Sequence, residues 1–380
     1  MKIIIAPDSF KGSNTTIAVA NTIEKGIRKV FPDAEIIKVP IADGGEGTVD
    51  ALVLGAGGEF KEKTVTGPLG EKLTAKYGVL KNGVAVIEMA AASGLPLVPE
   101  DKKNPLVTTT YGTGELIKAA LDDGCKQIVI GIGGSATNDG GMGMAQALGV
   151  SFKDKDGNEL GSGGGELDKL ATIDISGLDP RIKDTEIIVA CDVSNPLCGE
   201  RGASAIYGPQ KGATPEMIKQ LDANLRHFAG IIKEQLGQDI IDVPGSGAAG
   251  GLGAGLIVFC GAQLKSGIET VLDVVNVDKD LPTTDLVITG EGKIDGQSVY
   301  GKVPVGVGQR AKKYNKPVLA IVGDIGDGAS AVYDHGVDGI MSTVNKAMPL
   351  SEAMQRSTEL LEDAAERVMR IIKIGMDIKK

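Results

Sequence analysis

The chain of 380 residues carries 40 Lys and Arg against 50 Asp and Glu, a net charge of −10, with 42% hydrophobic residues, 3% aromatics and no Trp. That balance excludes a basic surface that tracks a phosphate backbone and a stacking platform for bases, so nucleic acid is not an expected partner. An acidic protein that binds small anions must concentrate cations locally, as placed Lys and Arg residues or as a metal ion.

In chain order, residues 3–6 read as a strand, 14–30 as a helix, 36–41 as a strand and 47–54 as a helix. From 62 to 89 the pattern changes: short β-branched runs separated by Gly-Pro and Asn-Gly turns read as an antiparallel hairpin or meander. An apolar strand at 128–131 runs into a glycine loop, the segment 188–199 ends a further strand with Asp192 and Asn195, and 215–236 reads as a helix. Strand-like runs at 286–289, 318–322 and 339–341 alternate with helices, and the last helix, 351–374, places Leu361, Ala364, Val368 and Ile371 on one face.

Alternation at both ends implies parallel βα units. The expected fold class is therefore α/β with two domains. A doubly wound parallel sheet of flavodoxin or Rossmann type is built from 1–62 and 284–380, and an α/β domain with a mixed sheet, 63–283, is inserted into it. The active site is expected in the cleft between them.

Four cysteines without a C-x-x-C pair read as reduced thiols in a cytoplasmic protein. The N-terminal apolar run stops at Pro7, too short for a signal peptide. The uncharged run 247–264 contains six glycines and reads as a buried helix, so no membrane association is expected. Homo-oligomerisation is left open.

Glycine motifs alone discriminate little. Gly131-x-Gly133-x-x-Ala136 after a strand matches a dinucleotide fingerprint, with Asp154 near the ribose-acid spacing, and Gly245-x-Gly247-x-x-Gly250 matches again. With 55 glycines, chance supplies roughly one such match. The P-loop pattern is absent, since Ile294 and Val303 follow the two Gly-Lys pairs, and only His227 and His335 exist, which disfavours His-metal clusters and serine triads.

What stands out is a set of strand-end loops combining glycine, carboxylate, lysine and hydroxyl. The loop after the first strand holds Asp8, Ser9, Lys11 and Ser13; a helix cap explains the hydroxyls and Asp8, but not a cation against the helix dipole. The loop after the second strand supplies Asp43 and Glu46, and a C-terminal strand leads to Glu291, Lys293 and Asp295. Carboxylates there suit Mg²⁺ or a base for a substrate hydroxyl, and lysines suit phosphate or carboxylate. The inserted segment adds Asp192, Asn195 and Lys211; its glycine-rich helix start at 246–255 implies either tight packing or backbone approach to an anion.

Taken together, APDSFKGS, PIADGGEGT, GIGGSATNDGGMGMAQALG, CDVSNPLCGERGA, YGPQKGA, GSGAAGGLGAG and TGEGKIDGQSVYGK resemble the class I glycerate kinases over essentially the whole chain. The resemblance implies an ATP-dependent, Mg²⁺-requiring enzyme that phosphorylates D-glycerate, typically on the 2-hydroxyl to give 2-phosphoglycerate. On this reading Lys11 takes the glycerate carboxylate or the incoming phosphoryl group, and Asp192 or Asp8 accepts the proton. Ser9, Lys211 and Lys293 complete the substrate contacts, and Asp43, Glu291 and Asp295 serve Mg²⁺ or orient Lys293. Gly133, Gly134, Ser135, Thr137, Asn138, Gly140 and Gly141, with Ser246 and Gly247, cradle the nucleotide. Two rivals remain, a nicotinamide-dependent hydroxy-acid dehydrogenase and a non-catalytic sensor of small acids.

Overall fold

The structure, a computed structural model, describes residues 1–42, 45 and 47–378. The described strands are β1 (Lys2–Pro7), β2 (Glu35–Lys38), β3 (Gly58–Thr66), β4 (Lys72–Leu80), β5 (Val84–Glu88), β6 (Gln127–Gly131), β7 (Ser151–Lys153), β8 (Thr172–Asp174), β9 (Glu186–Ala190), β10 (Gln263–Lys265), β11 (Leu286–Ile294), β12 (Val318–Ile325) and β13 (Gly339–Ser342). They divide between two compact units, one of residues 1–42, 50–57 and 268–378, the other of 45, 47–49 and 58–267.

The first unit is a five-stranded, wholly parallel sheet in the order β13-β12-β11-β1-β2. Numbered within the unit this is the flavodoxin-like order 2-1-3-4-5, whose ligand crevice lies at the strands' carboxyl ends. Ile3, Ile4 and Ile5 are fully buried, as a central strand covered on both faces requires. The helix Thr16–Arg28 starts where Thr15 Oγ1 accepts from the Ala18 N–H, and it packs closely on the C-terminal helix. At that crossing a Cβ on Gly26 would stand 2.5 Å from Glu362 O, so the approach depends on glycine.

The final helix is broken, contrary to the single run the periodicity suggests. It forms Leu350–Gln355 and Ser357–Ile378, separated at Arg356, whose guanidinium pairs with Glu352 before the break and Glu359 after it. Leu361, Ala364 and Val368 are buried as expected, but Ile371 is 60% exposed while the neighbouring Ile372 packs on the core, and the buried stripe gains Leu360, Ala365 and Met369.

The second unit holds a six-stranded mixed sheet, β10-β9-β6-β5-β4-β3. Strands β3, β4 and β5 run antiparallel, joined at Gly67–Gly70 and Leu80–Gly83, and β5, β6, β9 and β10 run parallel. A two-stranded β7–β8 ribbon lies over a separate core in which Phe152 stands 5.5 Å from Phe259 and 6.2 Å from Phe228. The uncharged run becomes the buried helix Ala248–Cys260. Among the described residues no helix is long and apolar enough to cross a membrane.

The main segment of this compact unit runs from Gly58, which already pairs with Leu80, to Gly267. The segment beyond belongs to the first unit because the buried Arg310 guanidinium bonds Glu269, Asp273 and Asp278 there.

Candidate active site

In the first unit the parallel pairing of β1 with β11 brings two loops together. Pro7 lies opposite Gly290, and the Asp8 N–H donates to Gly290 O at 2.8 Å. The Ser9 N–H donates to Asp8 Oδ1 at 2.6 Å, which fixes that carboxylate against its own loop. A Cβ on Gly292 would lie 3.7 Å from Lys11 N, so the backbone of Lys11 abuts the residue before Lys293. Both lysines are exposed, and neither has an ion pair among the described residues. The two cations lie at the carboxyl edge of a parallel sheet, the edge where open α/β sheets take their ligands.

Behind them Glu291 is 6% exposed, and Ser298 Oγ donates to its Oε1 at 2.9 Å. Burial pushes the Glu291 carboxyl up to about 7, against the pull of Lys302 and the Ser298 bond. Lys302 Nζ stands 3.6 Å from Glu291 Oε2 and 3.7 Å from Asp295 Oδ1. The two carboxylates expected to serve a metal thus share one ammonium. Among the described residues no three acidic, His or Cys side chains are grouped to hold a metal, and Asp43 and Glu46 lie outside the described residues.

Lys302 was missed by sequence reasoning as a site residue. It is the N-cap of the helix Val303–Lys312, a cation at the positive end of a helix dipole, and the same argument that singles out Lys11 applies to it.

In the second unit the glycine loop leaves β6 and divides into an outer and an inner part. Gly133 and Gly134 are exposed; Ser135, Thr137, Asn138, Gly140 and Gly141 are buried. Gly140 and Gly141 turn inward with φ of +64° and +79°, and a Cβ on them would press on Phe228 and on Gly255. Both glycines are packing contacts in this structure. Asp139 is also structural: its Oδ2 accepts from the N–H and hydroxyl of Thr110, each at 2.8 Å, and its Oδ1 accepts from the Gly141 N–H.

Lys211 is 1% exposed, and Nζ donates to Ser135 Oγ and Thr137 O, each at 2.7 Å. Burial pushes its ammonium down to about 7 while the Asp139 charge opposes. The side chain so placed faces the protein interior and not solvent. Ser246 and Gly247 are buried too; Gly247 N donates to Asn195 O, and a Cβ there would be 2.1 Å from Pro196 O. Gly247 is closely packed there, and Ser246 Oγ is buried without a hydrogen-bond partner among the described residues. Asn138 Nδ2 donates to Ser204 Oγ.

Asp192 is exposed at the end of β9, where Oδ1 accepts from the Gly267 N–H at 2.9 Å. Asp154, the acid a dinucleotide site would need, instead caps its own turn by accepting from the Asp156 and Asn158 N–H groups.

A sequence profile described as the glycerate kinase family matches residues 3–373. The chain belongs to the glycerate kinase family. It is 55% identical to the glycerate 2-kinase of Escherichia coli K12, with 99% of each chain covered, and 55% identical to a glycerate kinase of Halalkalibacterium halodurans, covering 96% of this chain and 97% of that one. A crystal structure of a protein provisionally designated glycerate kinase 2 from Salmonella typhimurium LT2 matches with a TM-score of 0.90 at 51% identity, with 99% of both chains covered. Glycerate kinases are phosphotransferases with an alcohol acceptor, and the nicotinamide rival is set aside on both the family and the self-capped Asp154.

Proposed function

We propose that the protein transfers the γ-phosphoryl group of ATP to the 2-hydroxyl of D-glycerate, giving 2-phosphoglycerate and ADP. The observation that carries the reading is the pair Lys11 and Lys293, two exposed lysines without ion pairs among the described residues, one in the loop after β1 and the other near the carboxyl end of the adjacent β11. They match a small carboxylate or a phosphoryl group in transit. The name of the Escherichia coli relative supports the 2-position.

The reaction asks little covalent chemistry of the protein; it asks for position and charge. The hydroxyl oxygen attacks the γ-phosphorus, the bond to the β-phosphate oxygen breaks, and the hydroxyl proton passes to Asp192 or Asp8. Lys11 and Lys293 offset the charge of the carboxylate and of the transferred group, with Ser9 beside them. Gly133 and Gly134, lacking Cβ atoms, let backbone N–H groups approach the nucleotide phosphates. Glu291 and Asp295 lie close enough to share the Lys302 ammonium, and their carboxylate oxygens are the hard donors that Mg²⁺ takes. Mg²⁺ bound there would neutralise phosphate charge. All four cysteines are free, in keeping with the reducing cytoplasm.

Purified protein incubated with ATP, Mg²⁺ and D-glycerate is expected to release ADP, with the product's phosphate at carbon 2 by NMR. ADP release no faster than in a glycerate-free control would sink the kinase reading; phosphate at carbon 3 would change only the regiochemistry.

A further inference from the structure

We infer that Lys211 is a positioning residue for the nucleotide, acting from inside the protein through Ser135 on the exposed Gly133–Gly134 turn; this rests on the kinase reading above. Lys211 ends the short 3₁₀ turn Pro209–Lys211, and the chain leaves it through Gly212 at φ +89°. A Cβ on Gly212 would be 2.5 Å from Lys103 O, so the turn is pinned and the lysine has one course, inward.

Its two bonds fall on alternate residues of the loop, the Ser135 hydroxyl and the Thr137 carbonyl. The neighbouring bonds hold the same stretch: Ala136 N donates to Ser93 O, Thr108 Oγ1 donates to Ala136 O, and Leu95 N donates to Gly134 O. Every residue from Gly134 to Thr137 is therefore tied to the interior, while Gly133 and Gly134 alone in the stretch face solvent. A buried ammonium is costly unless something needs it. Here it accounts for the fixed shape of the loop that carries two exposed glycines, a shape a polyphosphate would meet without touching the lysine.

This separates Lys211 from Lys11 and Lys293. Those lysines meet the ligand from solvent; Lys211 pre-shapes the loop that meets the nucleotide. Its loss should therefore be read in nucleotide affinity and not in glycerate affinity.

The test compares wild type with Lys211→Met, which keeps the stem length and removes the charge. Binding of ADP with Mg²⁺ is measured by calorimetry, which needs no turnover, and KM values for ATP and D-glycerate are measured where turnover is present. The expected result is weaker ADP binding and a higher KM for ATP, each by about tenfold, the scale of one lost charged hydrogen bond, with KM for glycerate within about twofold. Unchanged ADP binding, or a rise confined to the glycerate KM, overturns the inference. Should Lys211→Met not fold, Ser135→Ala decides: ADP binding weakened by about threefold or more supports it, and wild-type binding overturns it. Wild-type protein that binds ADP but leaves glycerate unphosphorylated would remove the kinase reading by a different result.

Discussion

Ser298 Oγ donates to Glu291 Oε1 at 2.9 Å, and so holds a carboxyl group that burial has pushed up to about 7 from an ordinary 4.5. In the folded chain Glu291 keeps its proton at a pH where the unfolded chain has lost it. The stability this contributes is fully present below 4.5 and is lost as pH rises through about 7. Glu291→Gln stays neutral throughout, so scanning calorimetry should show its Tm gaining on wild type from about pH 5 to about pH 8. A difference that stays flat across that range would mean an ionised Glu291.

Asp192→Asn keeps an oxygen able to accept the Gly267 N–H, so the fold should survive the substitution. If Asp192 is the proton acceptor, kcat falls by at least about a hundredfold with little change in Tm. Near-normal kcat would transfer the role to Asp8, for which Asp8→Asn is the matching measurement.

Gly250→Ala should be among the most destabilising single-methyl changes in the chain. Gly250 has φ +70°, and a Cβ there would lie 1.9 Å from Thr137 O and 2.6 Å from Asn138 Cα. Left-handed strain and a backbone clash together should cost about 3 kcal/mol or more in urea unfolding. Gly134→Ala has nearly the same φ, +72°, but its nearest neighbour is Ala90 Cβ at 3.5 Å, and about 1 kcal/mol is expected. Equal losses would refute the clash.

Arg310→Met removes a guanidinium 7% exposed that serves Glu269, Asp273 and Asp278. Because the three carboxylates are themselves 37–61% exposed, water can recover part of the loss, and about 1–3 kcal/mol of destabilisation is expected. ADP binding should be unaffected, which calorimetry checks directly.

The alternation of apolar runs made the parallel sheet of the first unit legible, since Ile3 to Ile5 and Val287 to Ile288 can form only strands covered on both sides. Turn chemistry likewise exposed the antiparallel β3–β5 region. Glycine was the ambiguous letter. Gly133 and Gly134 are open while Gly140, Gly141, Gly247 and Gly250 are packing contacts, and these uses share one composition. Lysines were ambiguous in the same way: Lys11 and Lys211 occupy similar glycine contexts, yet one is exposed and the other is buried. That distinction depends on which loops tertiary pairing brings alongside, information that local spacing does not carry.

The interior place of β1, between β11 and β2, also sets an order of events at synthesis. Its backbone is completed by β11, and Lys2 N finds Asp285 Oδ2 across 283 residues. A ribosome delivering residues in sequence finishes the inserted unit before that partner strand exists, so the inserted unit can form its core first while the opening strand waits with only β2 available. Strand β1, made before the insert, is thus enclosed after it, and a nascent chain stalled before residue 286 should present a folded insert beside an unfinished, chaperone-accessible edge.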